Sequence, residues 1–472
     1  MINFIKEVES TYNVSSITVN GIQVWPFLRA SYYFAYGNKY KFNGKSNSGK
    51  EKLSLWSKIK RIRNVSYGWN NLLKKYDYFV FSDTLEKRLV NNNKYIDKIA
   101  ESLIFELGKD NVLLIENPVN GFHFRQSEIA TKNIISLDLF HALCYQPFSI
   151  RNINIENEWI LKDINKKYNL NINYYKIIAR FLCCKRLFNY FFKIYKPKAI
   201  FVNCYYYLTH QAAIYAAKKM KILTVELQHG IINNKHPAYN VFVPLDKLFF
   251  PDYLFAFGNY VKEILGKDNY FIQKEYIIPI GYMYIDYINN KYKPTRKTIN
   301  LFKNFKKKYK KIVVVSSQQV LEDKLIDFLK KSASLNNDIL YIFVPRNMNK
   351  DYSSVNFPAN ITILKHLDVY QIMKESDFHA TMWSTCALEA PALGVPNILI
   401  NINGFAKEYY SNLLTNRDVT KFVDTPKEFV DTILKWQVKP KEEIKKLHKN
   451  FYQQNHKDSL KKALQTIFKV KE

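Results

Sequence analysis

The stretch VELQHGIINNKHP (residues 225–237) carries the side chains of this sequence that are best suited to proton transfer. Its apolar run ends in a Gln-His-Gly turn at His229. A neutral imidazole has an ordinary pKa of about 6.5, so near neutral pH it can take a proton from a hydroxyl group. A protonated imidazole can instead neutralise a leaving phosphate, and both roles stay open. We predict that His229 is catalytic; the alternative is a structural histidine at a strand end.

Three neighbours of His229 belong to the same prediction. Gly230 lets the backbone turn sharply or approach a ligand closely, so we assign it to donor binding. His236 is assigned to a loop that binds the acceptor. Glu226 is predicted as a second catalytic residue, although strand alternation directs its side chain away from the face of its two strand neighbours. A direct contact between Glu226 and His229 therefore requires the turn to begin early.

Short apolar strands that alternate with helices must position these residues. In the first part of the chain the predicted strands are YDYFVFSD (76–83), NVLLIEN (111–117), KAIFVN (198–203), ILTVEL (222–227), DYLFAFG (252–258) and YIIPIG (276–281), with a helix predicted over 95–108. In the second part they are KIVVVSS (311–317), ILYIFVP (339–345), NITILK (360–365), FHATM (378–382) and PNILIN (396–401). This alternation indicates parallel βαβ units.

The chain has 472 residues, more than one hydrophobic core usually serves, since cores stop growing at about 250–300 residues. We predict an α/β fold with two Rossmann-like lobes and a cleft between them. The N-terminal lobe, with a helical extension at its start, covers 1–285, and a linker covers 286–310. The C-terminal lobe covers 311–435, followed by helices over 436–472. Ligands of open α/β sheets bind beyond the carboxyl ends of the strands.

The segment MWSTCALEAPALGVPNILI (382–400) supplies the clearest strand end of the second lobe. Ser384 and Thr385 lie where a helix begins, and Glu389 follows one turn later. The free N–H groups and the positive dipole end of a helix N-terminus can hold a phosphate. Serine and threonine are also favoured helix caps, which is the alternative explanation.

The part STCALEAPALGVPNIL resembles the donor-nucleotide segment of glycosyltransferases with the GT-B fold. In those enzymes a serine or threonine turn, a glutamate and a Gly-x-Pro recur in the C-terminal lobe. The resemblance covers roughly residues 310–400. It implies that Ser384 and Thr385 contact the donor phosphates and that Glu389 contacts the ribose. The most similar enzymes are bacterial capsule and lipopolysaccharide transferases of the Kdo, sialic-acid and glycerophosphate types.

Other strand ends of this lobe supply further donor-binding candidates. SSQQ (316–319) takes the position of the first phosphate loop of such enzymes, without their usual glycines; a polar helix cap is the alternative. FVPRNMNK (343–350) has an arginine where many relatives have His-Pro, and a guanidinium suits a phosphate. This departure speaks against a close match to the Kdo- and sialic-acid-type enzymes. With KHLD (365–368), the candidates are Ser316, Ser317, Gln318, Arg346 and His366.

Two segments of the first lobe complete the set. SDTLEKR (82–88) closes the first strand, so Ser82 and Asp83 are predicted to contact the acceptor; core-facing or capping roles are the alternative. NGIQVWPFLRASYYF (20–34) resembles the opening segment of some polysaccharide-assembly transferases. Its own pattern favours an aromatic helix that packs on the first lobe.

The charge balance favours anionic partners. Lys and Arg total 71 against 41 Asp and Glu, which leaves a formal charge of +30. Lysine clusters such as KNFKKKYKK (303–311) are solvated helix faces or sites of attraction to an anionic membrane surface. We expect no nucleic-acid partner, because the usual recognition signatures are missing. A binding protein of that class remains the least favoured alternative.

The remaining signals concern the compartment and the cofactors. The five cysteines show no CxxC pair and no metal spacing, which is typical of reduced thiols in a cytosolic protein. The N-terminal stretch lacks the apolar region of a signal peptide, and no run approaches the ~20 apolar residues of a spanning helix. We expect a cytoplasmic protein that associates with the inner face of the cytoplasmic membrane. No Asp-x-Asp context suggests a metal.

Together these observations predict a metal-independent glycosyltransferase that needs no cofactor. It would move a sugar from a nucleotide-sugar donor to a surface polysaccharide or a lipid-linked glycan. The alternative is a polyol-phosphate transferase of the teichoic-acid type, which would use a CDP-activated donor and the same His229.

Overall fold

The computed structural model describes residues 1–40, 63–90, 93–119, 121–144, 153–265, 269–318, 321–346, 350–365 and 367–469. The chain forms two compact units. Unit 1 comprises Met1–Gly281 and Lys457–Glu472, and unit 2 comprises Tyr282–His456. One predicted donor residue, His366, lies outside the described residues.

Unit 1 is built around a seven-stranded parallel sheet. In chain order its strands are β1 Tyr78–Asp83, β2 Val112–Asn117, β3 Ile134–Ser136, β4 Ala199–Val202, β5 Leu223–Leu227, β6 Tyr253–Ala256 and β7 Ile277–Pro279. In space they follow the order β7-β6-β5-β4-β1-β2-β3. The order reverses between β1 and β4, and open α/β sheets bind ligands at the carboxyl ends beside such a switch point.

Helices cover this sheet because their apolar faces pack on its buried strands. They are α1 Ile2–Thr11, α2 Trp25–Tyr40, α3 Glu101–Glu106, α4 Asp138–Leu143, α5 Glu158–Lys167, α6 Tyr174–Tyr195, α7 Leu208–Lys219 and α8 Tyr260–Ile264. In α6 the rings of Phe188 and Phe192 lie one turn apart on one face. They contact the rings of Phe81 and Phe79 in β1, at centroid distances of 5.7 and 6.0 Å.

Unit 2 contains a six-stranded parallel sheet. Its strands are β8 Lys311–Ser316, β9 Ile339–Val344, β10 Ile361–Thr362, β11 Phe378–Thr381, β12 Asn397–Ile400 and β13 Thr420–Val423, in the spatial order β10-β9-β8-β11-β12-β13. The order again reverses beside its first strand, here between β8 and β11. Both sheets therefore have a Rossmann-like strand order, and the predicted α/β class with two such units is confirmed.

The helices of unit 2 are α9 Met283–Asn290, α10 Arg296–Lys308, α11 Glu322–Leu335, α12 Val369–Glu375, α13 Cys386–Ala392, α14 Phe405–Tyr410, α15 Pro426–Lys435 and α16 Lys441–Leu447. A last helix, α17, spans His456–Lys469. Alternate residues of β8 and β9 point to one face, where Val313 and Val315 belong to a core shared with Leu329 of α11 and Phe429 of α15.

The unit boundaries differ from the prediction in two places. The stretch 286–310 is not a linker but belongs to unit 2, where α10 buries Phe302 while its lysines stay exposed. The chain end from Lys457 belongs to unit 1, where the ring of Phe468 packs 5.6 Å from that of Tyr78. A lysine-rich amphipathic helix resembles a polar linker in sequence because its apolar stripe is narrow.

Two local elements also differ from the prediction. The segment predicted as one helix over 95–108 opens with a strand, Tyr95–Asp97, which pairs with Lys87–Leu89 and leaves only α3 helical. Strand β13 was not predicted, because its burial depends on pairing with β12. In the part of the chain that the structure describes, no helix has the length and apolar character needed to cross a membrane.

Candidate functional site

Asp83 ends β1 at the switch point of unit 1. Its carboxylate accepts hydrogen bonds from Asn117 Nδ2 at 2.8 Å, at the end of β2, and from Asn203 Nδ2 at 3.0 Å, directly after β4. Burial raises the pKa of Asp83 to about 6, although both amide hydrogen bonds oppose the shift. Asp83 thus joins the carboxyl ends of three neighbouring strands. Ser82, the other predicted acceptor contact, is fully buried, which favours its core-facing alternative.

A second polar network at this edge was missed by the sequence analysis. The Lys87 ammonium lies 3.1 Å from Glu116, and His123 bridges Glu116 and Ser136 with two hydrogen bonds of 2.8 Å. Burial acts to raise the pKa of Glu116, but Lys87 and His123 outweigh it and lower that pKa. Ser136 is fully buried, so this serine–histidine–glutamate chain is structural. The only sequence signal was the position of Glu116 at the end of a predicted strand.

His229 follows β5, which ends at Leu227. The residue is partly exposed, and its Nδ1 atom is buried without a hydrogen-bond partner among the described residues. The ring centroid lies 6.1 Å from that of Tyr206. Burial lowers the pKa of His229 to about 4; the Glu86 carboxylate opposes this shift and Lys98 adds to it. His229 is therefore neutral at pH 7, and the lowered pKa also makes it a weaker base than an ordinary histidine.

The N-terminal helices hold the loop that follows His229. Arg29 of α2 donates to the carbonyl oxygens of Pro237 at 2.9 Å, Ala238 at 3.2 Å and Asn240 at 3.0 Å. Its Nε donates to Glu9 of α1 at 2.9 Å, and both side chains are buried. The helix predicted within residues 20–34 is confirmed, and the buried arginine in it anchors this loop.

His236 lies in the same loop and is partly exposed. Its Nδ1 accepts a hydrogen bond from the Ala238 backbone at 3.3 Å, and its ring lies 4.9 Å from that of Tyr239. Burial lowers its pKa to about 3. The acceptor-binding role of His236 stays a prediction; its present contacts are those of a residue that shapes the loop. Gly230, next to His229, is also partly exposed.

Glu226 does not pair with His229 as predicted. It is fully buried in β5, and its Oε1 accepts from the Tyr205 backbone at 3.2 Å and from the Tyr239 hydroxyl at 2.8 Å. The strand continues through Leu227, so the turn begins too late to bring the two side chains together. Burial raises the pKa of Glu226 to about 8, so this carboxyl group is protonated at neutral pH. Its role is to hold Tyr239 and the loop.

We expect Glu226→Gln to reduce the loss of stability at alkaline pH. The pKa of Glu226 is 4.5 ordinarily and about 8 when folded. The folded state therefore binds this proton more tightly, and its contribution to stability falls as pH rises from 4.5 through 8. Glutamine keeps the accepting oxygen but does not titrate. Melting temperatures between pH 5 and pH 9.5, read at about one-unit steps, should fall less steeply in the variant.

The matched control is Glu7→Gln, which removes a half-exposed carboxylate whose pKa is lowered, first by its hydrogen bond from Tyr168. Its stabilising effect is already complete above the ordinary pKa, so the alkaline slope should stay that of the wild type. Equal alkaline slopes in wild type and Glu226→Gln would show that Glu226 ionises freely in the folded protein.

In unit 2 a chain of hydrogen bonds runs from Ser316 through His379 and Asn397 to a backbone carbonyl. The carbonyl determines which atom donates at each step of the chain. Asn397 Nδ2 donates to the Ala387 carbonyl, which can only accept, so Asn397 Oδ1 faces His379 Nδ1 at 2.7 Å. That nitrogen must carry a proton. Burial lowers the pKa of His379 to about 4, so its Nε2 is unprotonated and accepts from the Ser316 hydroxyl at 2.8 Å. The Ser316 hydroxyl proton is therefore engaged, and Ser316 can offer a ligand only lone pairs. This argues against the predicted contact of Ser316 with a phosphate of the donor, because a phosphate needs a hydrogen-bond donor.

Ser317 is engaged in a similar way. Its hydroxyl donates to Glu322 at 2.8 Å and accepts from the Arg346 backbone at 3.1 Å. Glu322 is buried in the first turn of α11, where it also bonds Lys350 and Tyr352. A carboxylate at this helix terminus opposes a phosphate, which argues against a phosphate contact at Ser317. The polar-cap alternative is not favoured either, because the cap position is Leu321 and Ser317 bonds the Glu322 side chain. Gln318 is partly exposed, and the Arg346 side chain at the end of β9 is exposed.

The residues predicted to hold the donor at α13 separate into two groups. The Ser384 hydroxyl accepts from the Cys386 backbone at 3.2 Å, and the Ser384 backbone exchanges hydrogen bonds with the Tyr410 hydroxyl. Ser384 is thus a capping residue, whereas Thr385 is partly exposed. Glu389 is 3% exposed, and its Oε1 accepts from the Tyr370 hydroxyl at 2.9 Å, whereas its Oε2 is buried without a hydrogen-bond partner among the described residues. Its ribose contact stays a prediction.

Two further observations concern metal ligands and an open cavity. Within the described residues, no group of three or more His, Cys, Asp or Glu side chains has an arrangement that could hold a metal ion. A cavity of about 560 Å³ opens beside β13 and is lined by residues other than the predicted donor contacts: Lys407, Ser411, Arg417, Lys421, Phe422, Glu428 and Thr432.

No protein-family model matches the sequence, and no curated protein matches it. Solved structures do resemble it. The UDP-GlcNAc 2-epimerase from Methanocaldococcus jannaschii matches over 83% of this chain and 99% of its own, with a TM-score of 0.49 and 12% identity. The glycotransferase of kitacinnamycin matches over 82% and 97%, with a TM-score of 0.49 and 10% identity. The wall teichoic acid polymerase TagF matches over 88% and 98%, with a TM-score of 0.45 and 13% identity. At these identities and TM-scores the solved structures give no basis for assigning a function, so the function of this chain must be inferred from its own residues.

Proposed function

We propose that this chain is a transferase that moves a sugar from a nucleotide-sugar donor to a hydroxyl group of a glycan. The observation that carries the proposal is His229, a neutral and partly exposed histidine at the carboxyl end of a parallel strand, with a buried Nδ1 that lacks a partner among the described residues. Ligands of such sheets bind at this edge. A neutral imidazole can remove the proton from the hydroxyl that attacks in glycosyl transfer.

The chemistry follows from the surroundings of His229. A neutral imidazole takes the proton of the attacking hydroxyl and becomes an imidazolium. The Glu86 carboxylate favours that positive charge, while Lys98, which lies 3.3 Å from Glu86, opposes it. Asp83, between Asn117 and Asn203 at the same edge, can accept a hydrogen bond from a further sugar hydroxyl.

For the donor we propose the carboxyl edge of the sheet in unit 2. Arg346 and Thr385 are its accessible polar side chains among the predicted contacts, together with Gln318. The guanidinium of Arg346 can form bidentate hydrogen bonds to a diphosphate. Ser316, which only accepts, suits a ligand hydroxyl or N–H rather than a phosphate. The formal charge of +30 supports an acceptor that is an anionic glycan or sits at an anionic membrane, and hence a protein at the cytoplasmic face.

The deciding experiment offers the purified protein UDP-, GDP- and CMP-sugars together with CDP-polyols, and measures release of the nucleotide. Release from one class of nucleotide-sugar that depends on an added glycan supports the proposal. Release from CDP-polyols alone would instead establish the polyol-phosphate transferase. If none of these donors is bound or turned over, the transferase assignment fails.

Arg346→Ala should weaken donor binding about tenfold or more, because a charged hydrogen bond contributes about 1.5–3 kcal/mol. Isothermal titration with the nucleotide that the donor screen identifies would measure this loss. Arg296→Ala, which removes an exposed arginine from the first turn of α10, is the control and should bind normally. Equal affinities of both variants would exclude Arg346 from the donor site.

A further inference from the structure

Three of the five cysteines meet in one place in unit 1. The Cys144 sulfur, directly after α4, lies 3.0 Å from the sulfur of Cys184 in α6. Cys184 is fully buried and Cys144 is 9% exposed. The neighbouring Cys183 is partly exposed, with its sulfur 4.0 Å from the Leu143 carbonyl. The sequence suggested scattered thiols, and the packing of α4 on α6 corrects that picture.

The two touching thiols share one hydrogen bond, which either sulfur can donate. That hydrogen bond favours the thiolate form of whichever sulfur accepts it. The thiolate is the reactive form of cysteine, so one sulfur of the pair is the nucleophile and its neighbour is positioned to resolve the oxidised form.

We propose that Cys144 and Cys184 form a reversible disulfide when the protein meets a hydroperoxide. The thiolate of one of the two cysteines attacks the peroxide, the O–O bond breaks, and the departing oxygen takes up a proton, which leaves a sulfenic acid. The sulfur of the other cysteine then attacks that sulfur and displaces its hydroxyl group as water. With hydrogen peroxide, two thiols and one peroxide give one disulfide and two waters. The peroxide is reduced and the sulfurs are oxidised.

The geometry suits this step better than the alternatives. A disulfide bond is about 2.0 Å long, so the two sulfurs need to approach by only about 1 Å. Cys183 and Cys184 are consecutive in a helix, so their side chains leave it about 100° apart and do not meet. Of the other cysteines, Cys204 and Cys386 are buried elsewhere in the chain.

The disulfide would tie α4 to α6 across 40 residues of sequence. This constraint reaches the carboxyl edge of the sheet, because His141 of α4 bonds to Thr209 in the first turn of α7 at 2.9 Å. Helix α7 follows β4, whose end borders the switch point. The modification does not depend on the proposed transferase activity.

The experiment treats the full-length protein with low concentrations of hydrogen peroxide and counts thiols after denaturation. We expect the count to fall from five to three, with dithiothreitol restoring five. Peptide mass spectrometry should find Cys144 linked to Cys184 within one chain. Cys183→Ser should fall from four thiols to two, and so should Cys386→Ser, since neither removes a member of the pair.

Cys144→Ser and Cys184→Ser should each form no intrachain link, and each should lose at most one of its four thiols, as an unresolved sulfenic acid that dithiothreitol reverses. Both replace one buried sulfur by oxygen, so the melting temperature is recorded for each. If either does not fold, the peptide map of the wild type decides alone. Retention of five thiols by the wild type, a link that includes Cys183, or a link between two chains would overturn the proposal.

Discussion

Replacing His229 with alanine is expected to lower turnover by a factor of about 10²–10⁴, the usual contribution of a positioned general base. Only a neutral imidazole can take the proton, and burial keeps the pKa of His229 near 4. Because the Nδ1 atom of His229 makes no hydrogen bond within the described residues, removal of the ring breaks no hydrogen bond at that atom. The melting temperature should therefore change little while activity is lost.

The pH dependence of kcat/KM tests the same assignment. Since His229 must be neutral to act as a base, the rate should stay level from pH 8 downward and decline only as pH approaches about 4. A decline centred on the ordinary histidine pKa of about 6.5 would mean that His229 is accessible to water and that its pKa is not lowered by burial. A rate that rises toward acid would instead favour the imidazolium role beside a leaving phosphate.

His141→Ala is the matched control for His229→Ala. His141 is also a partly exposed histidine of unit 1, but it bonds Thr209 and is not assigned to the reaction. Its variant should keep its turnover within a few-fold of the wild type. His229→Gln, which retains a polar group of similar size, should be as inactive as the alanine variant. Normal turnover in His229→Ala would exclude His229 from the chemistry.

Arg29→Ala should lower the free energy of unfolding of unit 1 by about 3–5 kcal/mol, as expected when one partner of a buried ion pair is removed. Glu9 would remain buried without its cationic partner. Its carboxylate would lose the hydrogen bond from Arg29 and keep those from Trp25 Nε1 at 3.0 Å and from the Phe242 backbone at 2.9 Å, which carry no charge. The three loop carbonyl oxygens bonded by Arg29 would lose their donor. Urea unfolding monitored by tryptophan fluorescence measures the loss.

The function of Arg29 as a loop anchor can be separated from its charge. Arg29→Lys keeps the positive charge but lacks the planar fork of donors, so it should be markedly less stable than the wild type. Glu9→Gln combined with Arg29→Met removes both charges and should recover part of the stability while leaving the loop unanchored. The turnover of this double variant should be lower than that of the wild type, because the unanchored loop directly follows His229.

Lys198→Ala is the control for this series. It breaks an ion pair with Asp77 in which both side chains are about half exposed or more, and such pairs contribute about 0–1 kcal/mol. If Arg29→Ala costs no more than this control, the buried ion pair does not anchor the N-terminal helices to the loop.

Much of the fold was predictable because apolar periodicity reflects burial directly. The strands around Val80, Val225, Val314 and Ile398 are runs of buried residues, and their spacing indicated parallel α/β units. The predicted sites at strand ends followed from the same pattern. Asp83, His229, Ser316 and Arg346 all lie at the carboxyl ends of strands.

Which side chains share contacts was not predictable, because hydrogen-bond partners come from distant parts of the chain. Glu226 is followed closely in sequence by His229 but bonds to Tyr239 and the Tyr205 backbone. Glu322 removes the phosphate role expected near Ser317. In neither case does sequence spacing show which way a side chain turns once its element is packed.

By itself the sequence determined the α/β class, the positions of most strands and the presence of a histidine at the carboxyl end of one of them, since these depend on local periodicity and polarity. The tertiary structure decided the strand order, the burial that makes His229 neutral, the anchoring of its loop by Arg29 and the contact of Cys144 with Cys184. These depend on residues that are far apart in sequence and meet only when both faces of the sheet are covered.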